Sequence, residues 1–181
     1  MESIENIRID HRARYEFALS LINRGDRVLD AACGCGYGSK ILSAKAGRVY
    51  SIDNSLEAID YALENYSDTN IFYLMRDLPC ELPIVDVVTS FETIEHVDNP
   101  LQVLKDFRAV SDKLICSVPN QDKLPFTKER FPFHHRHYTK IEFNDLLVAA
   151  GWRVIEWHGQ AGAFSKVESN VNGRTLVAVC V

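Results

Sequence analysis

The sequence has no apolar run near the ~20 residues that a membrane-spanning helix needs, so no membrane partner is expected. It has no internal repeat, no low-complexity tract and no Pro- or Gly/Ser-rich linker. Residues 1–181 are therefore expected to form one domain, and a chain this long buries enough surface for its own core. Positive charge is not in surplus: 20 Lys+Arg against 25 Asp+Glu give a net charge of −5. The overall basic signature of a dedicated nucleic-acid binder is missing, although a local basic patch remains open. The five cysteines, Cys33, Cys35, Cys80, Cys116 and Cys180, are odd in number and scattered. That argues against a disulfide framework, and all five are read as reduced small side chains. The opening MESIENIRIDHRARYEF lacks the apolar stretch of a secretory signal, so the cytoplasm is the expected compartment.

What is present alternates strand and helix. Segments 27–33 (RVLDAAC), 48–53 (RVYSID), 71–77 (IFYLMRD), 85–91 (VDVVTSF) and 113–118 (KLICSV) are β-branched, apolar runs and read as strands, with late strands at 152–157 and 175–181. Helices are predicted after the glycines at 37–46, from a capping box formed by Asn54 and Glu57, from Asp98-Asn99-Pro100 to about 110, and from the box Thr139/Glu142 to Gly151. Residues 78–84 are too few for a crossover helix and read as a bare loop. The expected fold is α/β: a mostly parallel seven-stranded sheet, order 3-2-1-4-5-7-6, with one antiparallel strand and helices on both faces. Ligands of such sheets lie beyond the carboxyl ends of the strands, which directs attention to 30–38, 53–54, 77–78, 91–96 and 119–120.

The first of these, LDAACGCGYGS, has glycines at 34, 36 and 38. A nicotinamide fingerprint needs G-x-G-x-x-G and an acid about 20 positions on. Here Ser39 replaces the third glycine, although Asp53 is acceptably placed. A second acid, Asp77, ends the third strand, and Asp30 lies inside the first; these two acids weigh against a dinucleotide oxidoreductase.

Together LDAACGCGYG, SIDNS, RDL and FETIEHV resemble the class I S-adenosylmethionine-dependent methyltransferases, which have a Rossmann-like fold, over nearly the whole chain. DHRARYEFA, ACGCGYGS and FHHRHYT further resemble small bacterial or phage members carrying RY-x-FA, ACG-x-GYGS and FH-x-R-x-YT. Ala32 stands where that family usually has glycine. The resemblance implies S-adenosylmethionine as methyl donor and S-adenosylhomocysteine as product. Gly34 and Gly36 would let the methionine portion approach the main chain. Asp30 is expected near the ammonium group, Arg14 and Tyr15 over the carboxylate, and Phe91 against the cofactor. Asp53, with Asn54, is expected to hold the ribose and Asp77 the adenine amino group, with Leu78 packing near the ring.

FETIEHV places Glu92, Glu95 and His96 after the fourth strand, on one side if the spacing is helical. The same E-x-x-E-H pattern occurs in small-RNA 3′-end 2′-O-methyltransferases and ubiquinone-pathway O-methyltransferases, where a later histidine completes a divalent-cation site. His134 matches that histidine, so Glu92, Glu95, His96 and His134 are candidate ligands for Mg²⁺, Mn²⁺ or Zn²⁺. His96, His134 and Glu92 are the candidate catalytic residues; in the metal-free alternative Glu92 and Phe91 lie against the cofactor, His96 acts as base, and Glu95 is a structural acceptor. His137 is a weaker candidate, and His135 is left to solvent. The segment 123–140 carries Lys123, Lys128, Arg130, Arg136 and Lys140 with Phe126, Phe131 and Phe133 interleaved. It reads as a lid or as a surface for an anionic substrate. The expected reaction is O-methylation of a small hydroxylated metabolite or sugar. RNA 2′-O-methylation and a non-catalytic cofactor-binding accessory role are the alternatives.

Overall fold

A computed structural model describes residues 8–181. Five helices, α1 (Ile9–Leu21), α2 (Tyr37–Ser43), α3 (Leu56–Tyr66), α4 (Pro100–Val110) and α5 (Lys140–Ala149), surround one sheet. Its strands are β1 (Arg27–Ala31), β2 (Arg48–Asp53), β3 (Ile71–Met75), β4 (Val87–Phe91), β5 (Leu114–Pro119), β6 (Val154–Gln160), β7 (Glu168–Ser169) and β8 (Thr175–Cys180). They lie in the order β3-β2-β1-β4-β5-β8-β6-β7. β1 to β5 are mutually parallel, and β8 runs antiparallel between β5 and β6. The Rossmann-like α/β architecture is as expected. The sheet has eight strands rather than seven, because the two-residue β7 pairs with the far edge of β6 through His158 and Gly159.

β4, β5 and β8 are buried along their whole length, which explains why none of them carries a charged residue. One core forms where α4 and α5 press Leu104, Phe107, Phe143 and Leu147 against the sheet, with Trp152 completing the cluster. Its indole Nε1 donates to the Leu104 carbonyl at 2.9 Å, so this buried ring leaves no polar atom unpaired. The second core packs Tyr15, Ala18 and Ile22 of α1 and Leu42 of α2 over Val28, Val49 and Ile115.

Helix starts follow local chemistry. Asn99 caps α4 with Pro100 next, and Thr139 and Glu142 make both bonds of a capping box on α5. α3 departs from the expected cap: Ser55 accepts from Ala58 N at 3.2 Å, because the Asn54 amide instead donates to Asp77 at 3.2 Å. The chain from β3 to β4 forms no helix, as its length requires. None of the five cysteines is joined in a disulfide.

Gly38, on the first turn of α2, allows α1 to seat. A Cβ there would lie 2.1 Å from Cζ of Tyr15, and that ring is wedged edge-on against Phe91 and Tyr37 at 5.0 and 5.5 Å. Gly38→Ala is expected to cost about 1–3 kcal/mol by overpacking, read as a lowered urea midpoint with unchanged slope.

Candidate active site

Two cavities open along the carboxyl ends of the parallel strands, of about 690 and 720 Å³. Their walls share Ala32, at the end of β1, and Glu92 and His96, after β4. Ala32 and Glu92 have φ of 59° and 53°, a left-handed conformation that costs a side-chain-bearing residue about 1 kcal/mol or more. Strain of this kind concentrates where a backbone must shape a site. The two cavities thus meet at that junction.

Asp53, Asn54, Asp77 and Leu78 line the second cavity together. Asp53 is fixed by its own strand end: Gly34 N donates to Oδ2 at 2.8 Å and Ser55 N to Oδ1 at 3.0 Å. Each oxygen keeps a lone pair for a ligand. The glycine turn borders the first cavity through Cys33, Gly34 and Cys35. Gly36, the residue that opens α2, has φ 87°, and a Cβ there would meet Ala62 Cβ at 2.6 Å and Tyr73 Oη at 2.7 Å. Gly36 supports the turn from below, while Gly34 lines the first cavity.

Arg14, Tyr15 and Phe91 also line the first cavity. Arg14 is 2% exposed; its Nη1 donates to Gln160 Oε1 at 2.7 Å, and its Nε has no partner among the described residues. A buried guanidinium with a spare donor suits a carboxylate. Asp30 lies beneath the turn and lines neither cavity. It accepts from Ser39 Oγ at 2.6 Å and from Tyr15 Oη and Thr89 Oγ1 at 3.2 Å each, tying α2, α1 and β4 to β1. Burial raises its pKa to about 6, against the pull of those three hydrogen bonds. A carboxyl raised in the folded state contributes stability at low pH that is lost as pH climbs through the folded value. Relative to Asp30→Asn, the protein is therefore expected to gain about 1 kcal/mol from pH 7 to pH 5 in urea titrations. A flat difference would contradict this.

Glu92, Glu95 and His96 occupy a bend and turn rather than a helix, yet all three line the first cavity. Glu92 is held by Ser117, whose hydroxyl donates to Oε1 at 2.9 Å. Glu95 points inward, fully buried, and both its carboxylate oxygens lack a hydrogen-bond partner among the described residues. Burial, then the charge of Glu92, pushes its pKa well above the usual carboxylate range. Glu95, His96 and His134 each offer a ligand atom within 4.8 Å of the others; Glu92 is not in this cluster. Burial, with His96 and His137 nearby, lowers His134 to about 4, so its ring is neutral at physiological pH. The loop after β5 carries His134 and is strapped down, His135 N donating to the Glu95 carbonyl at 2.7 Å and the His96 Nδ1 meeting the Phe133 carbonyl at 3.0 Å. It places Leu124, Phe131 and His134 on the first cavity and Phe133 on the second. The His135 side chain is exposed, as expected.

The methyltransferase-domain family matches residues 5–157 of the chain. A protein of Mycolicibacterium smegmatis named "Probable S-adenosylmethionine-dependent methyltransferase" is 30% identical over 75% of this chain and 55% of its own length. The chain belongs to the class I S-adenosylmethionine-dependent methyltransferase family.

Other relatives of this methyltransferase domain include a ubiquinone biosynthesis O-methyltransferase of Actinobacillus pleuropneumoniae, 29% identical over 48% of this chain and 41% of that one. The chain thus spans about half the length of the curated relatives it matches. Among solved structures, a Haloferax volcanii methyltransferase in complex with the Trm112 methyltransferase activator superposes with TM-score 0.76 at 20% identity, over 94% of this chain and 89% of that one. The N-methyltransferase NodS of Bradyrhizobium japonicum, bound to S-adenosyl-L-homocysteine, superposes with TM-score 0.70 at 14% identity, over 94% and 84%. S-adenosylmethionine is accordingly the cofactor of the family fold, and the dinucleotide oxidoreductase reading is set aside. No helix among the described residues of the methyltransferase domain is long and apolar enough to cross a membrane.

Several wall residues have no signal in the sequence. His11, Leu124 and Arg174 face the first cavity. Gln160 reaches Arg14 from 146 positions away. No local motif announces such pairings, because the sheet order alone brings them together.

Proposed function

We propose that the domain transfers a methyl group from S-adenosylmethionine to a hydroxyl oxygen of a small hydroxylated metabolite or sugar, with a divalent cation held by Glu95, His96 and His134. One observation carries this reading: a fully buried carboxylate, unpartnered at both oxygens among the described residues, sits beside two imidazoles on the wall of the first cavity, which meets the second at Ala32, Glu92 and His96. Leaving such a group unmatched is costly, and a cation would match it. A carboxylate with imidazoles suits Zn²⁺ or Mn²⁺ and accepts Mg²⁺. When bound, such a cation lowers the pKa of a coordinated hydroxyl and can hold a neighbouring one.

The chain's own residues supply position. Asp53 and Asn54 take the ribose hydroxyls, Asp77 the adenine amino group, and Leu78 one face of the ring. Arg14 takes the carboxylate; Asp30 acts at one remove, holding Tyr15 and the glycine turn. That leaves the sulfonium at the junction of Ala32, Glu92 and His96, facing Glu95. Methyl transfer is an in-line displacement, so this alignment supplies several kcal/mol of the barrier reduction. The relatives that are ubiquinone biosynthesis O-methyltransferases support oxygen as acceptor.

The test is S-adenosylhomocysteine release with a vicinal-diol acceptor such as a catechol. Turnover is expected, lost with EDTA and restored by Mn²⁺. EDTA-insensitive turnover removes the cation and leaves His96 as the base; no product with any acceptor leaves a cofactor-binding accessory protein. A second reading, RNA 2′-O-methylation, is favoured by exposed Lys123, Lys128 and Arg130 on the same loop as Phe133, which lines the second cavity and is 80% exposed. A salt-sensitive gel shift with RNA is the result that would select it.

A further inference from the structure

We infer that His137 is a positioning residue: the Leu124 carbonyl fixes its tautomer, His137 fixes that of His134, and His134 is left with a bare Nε2 to offer beside Glu95 and His96. The role of that Nε2 as a ligand rests on the cation reading above. The tautomer relay itself rests on hydrogen-bond geometry.

His137 is 2% exposed and lines neither cavity, so it is not placed to touch substrate or cofactor. Its Nδ1 lies 2.6 Å from the Leu124 carbonyl oxygen. A carbonyl only accepts, so Nδ1 carries the proton, and in the neutral ring Nε2 must then accept. The group 2.8 Å from that Nε2 is Nδ1 of His134, which therefore donates. With its Nδ1 proton spent, His134 has Nε2 as its free lone pair. His96 arrives at the same state independently, donating from Nδ1 to the Phe133 carbonyl at 3.0 Å. Two rings on different segments are thus each tautomerised by a backbone carbonyl, one directly and one through His137. Outer partners of this kind fix ring orientation at metal sites, and losing one costs 10- to 100-fold in affinity.

The relay is mechanically anchored. Leu124 N donates to the Asn120 carbonyl at 2.7 Å, and the Asn120 side chain is itself bound to the Gly173 carbonyl at 2.8 Å. The Phe131 ring packs against both His134 and His137, at 5.1 and 4.5 Å between centroids. Leu124 also lines the first cavity, so the residue whose carbonyl sets the tautomers shares a wall with Glu95, His96 and His134.

The test combines imidazole ¹⁵N NMR of the metal-free protein with Mn²⁺ titration calorimetry of the wild type, His137→Phe and His137→Gln. His134 and His137 are both expected as Nδ1–H tautomers. His137→Phe, which can neither donate nor accept, should weaken Mn²⁺ binding tenfold or more. His137→Gln, which keeps a donor and an acceptor, should recover most of it. Unchanged S-adenosylhomocysteine affinity would show that each variant is folded. An Nε2–H tautomer at His134, or equal Mn²⁺ affinity in His137→Phe, overturns the relay while leaving the cation reading intact. Nδ1–H tautomers in a wild type that binds no Mn²⁺ confirm the relay and refute the cation reading.

Discussion

Glu95→Gln is expected to lower methyl transfer by at least about a hundredfold while moving the stability of the metal-free protein by no more than about 1 kcal/mol. The two halves of that result are linked. A buried carboxylate kept for structure has hydrogen-bond donors around it, and neutralising it strands them at a cost of about 1–3 kcal/mol. Glu95 has no such donors among the described residues, so the amide breaks no existing bond. What it removes is the carboxyl group that can ionise to meet a cation beside His96 and His134. Urea unfolding in EDTA measures the first quantity, and initial rates with saturating Mn²⁺ the second. A large loss of stability would make Glu95 a structural acceptor, as in the metal-free alternative.

The second large effect concerns Asp53. Asp53→Ala is expected to raise the dissociation constant for S-adenosylhomocysteine on the order of a hundredfold or more, because a hydrogen bond to a charged group is worth about 1.5–3 kcal/mol and two ribose hydroxyls lose theirs. The glycine turn also loosens, since Gly34 N and Ser55 N lose the acceptor that now holds them at 2.8 and 3.0 Å. Asp53→Asn separates these contributions: it preserves the shape and one acceptor, so its loss in calorimetry should be smaller. An alanine variant that binds as the wild type does would remove Asp53 from the cofactor site.

The order of elements was legible because it rests on local signals: β-branched runs, a proline after Asn99, and the Thr139/Glu142 pair whose two bonds are both made. The strand-end rule brought Asp53 and Asp77 to one cavity from sequence positions 24 apart. Signals failed where tertiary partners compete. Asn54 and Ser55 both suit a helix cap, and Asp77, at the end of the next strand, decides between them by engaging the Asn54 amide. E-x-x-E-H spacing fits a helix, yet the segment forms a turn that sends Glu95 inward and leaves Glu92 on Ser117. Asp30 was expected near the ammonium group; three hydroxyls claim it instead, and none stands out in the sequence as its partner. β7 is two residues long, too short to carry any pattern.

The most direct test is a crystal structure of the protein with S-adenosylhomocysteine and Mn²⁺, read by anomalous scattering. The nucleoside is expected in the cavity of Asp53 and Asp77, its sulfur where the two cavities meet at Ala32, Glu92 and His96, and a manganese peak among Glu95, His96 and His134. A nucleoside seated elsewhere, or a sulfur turned away from Glu95, would contradict the proposed site.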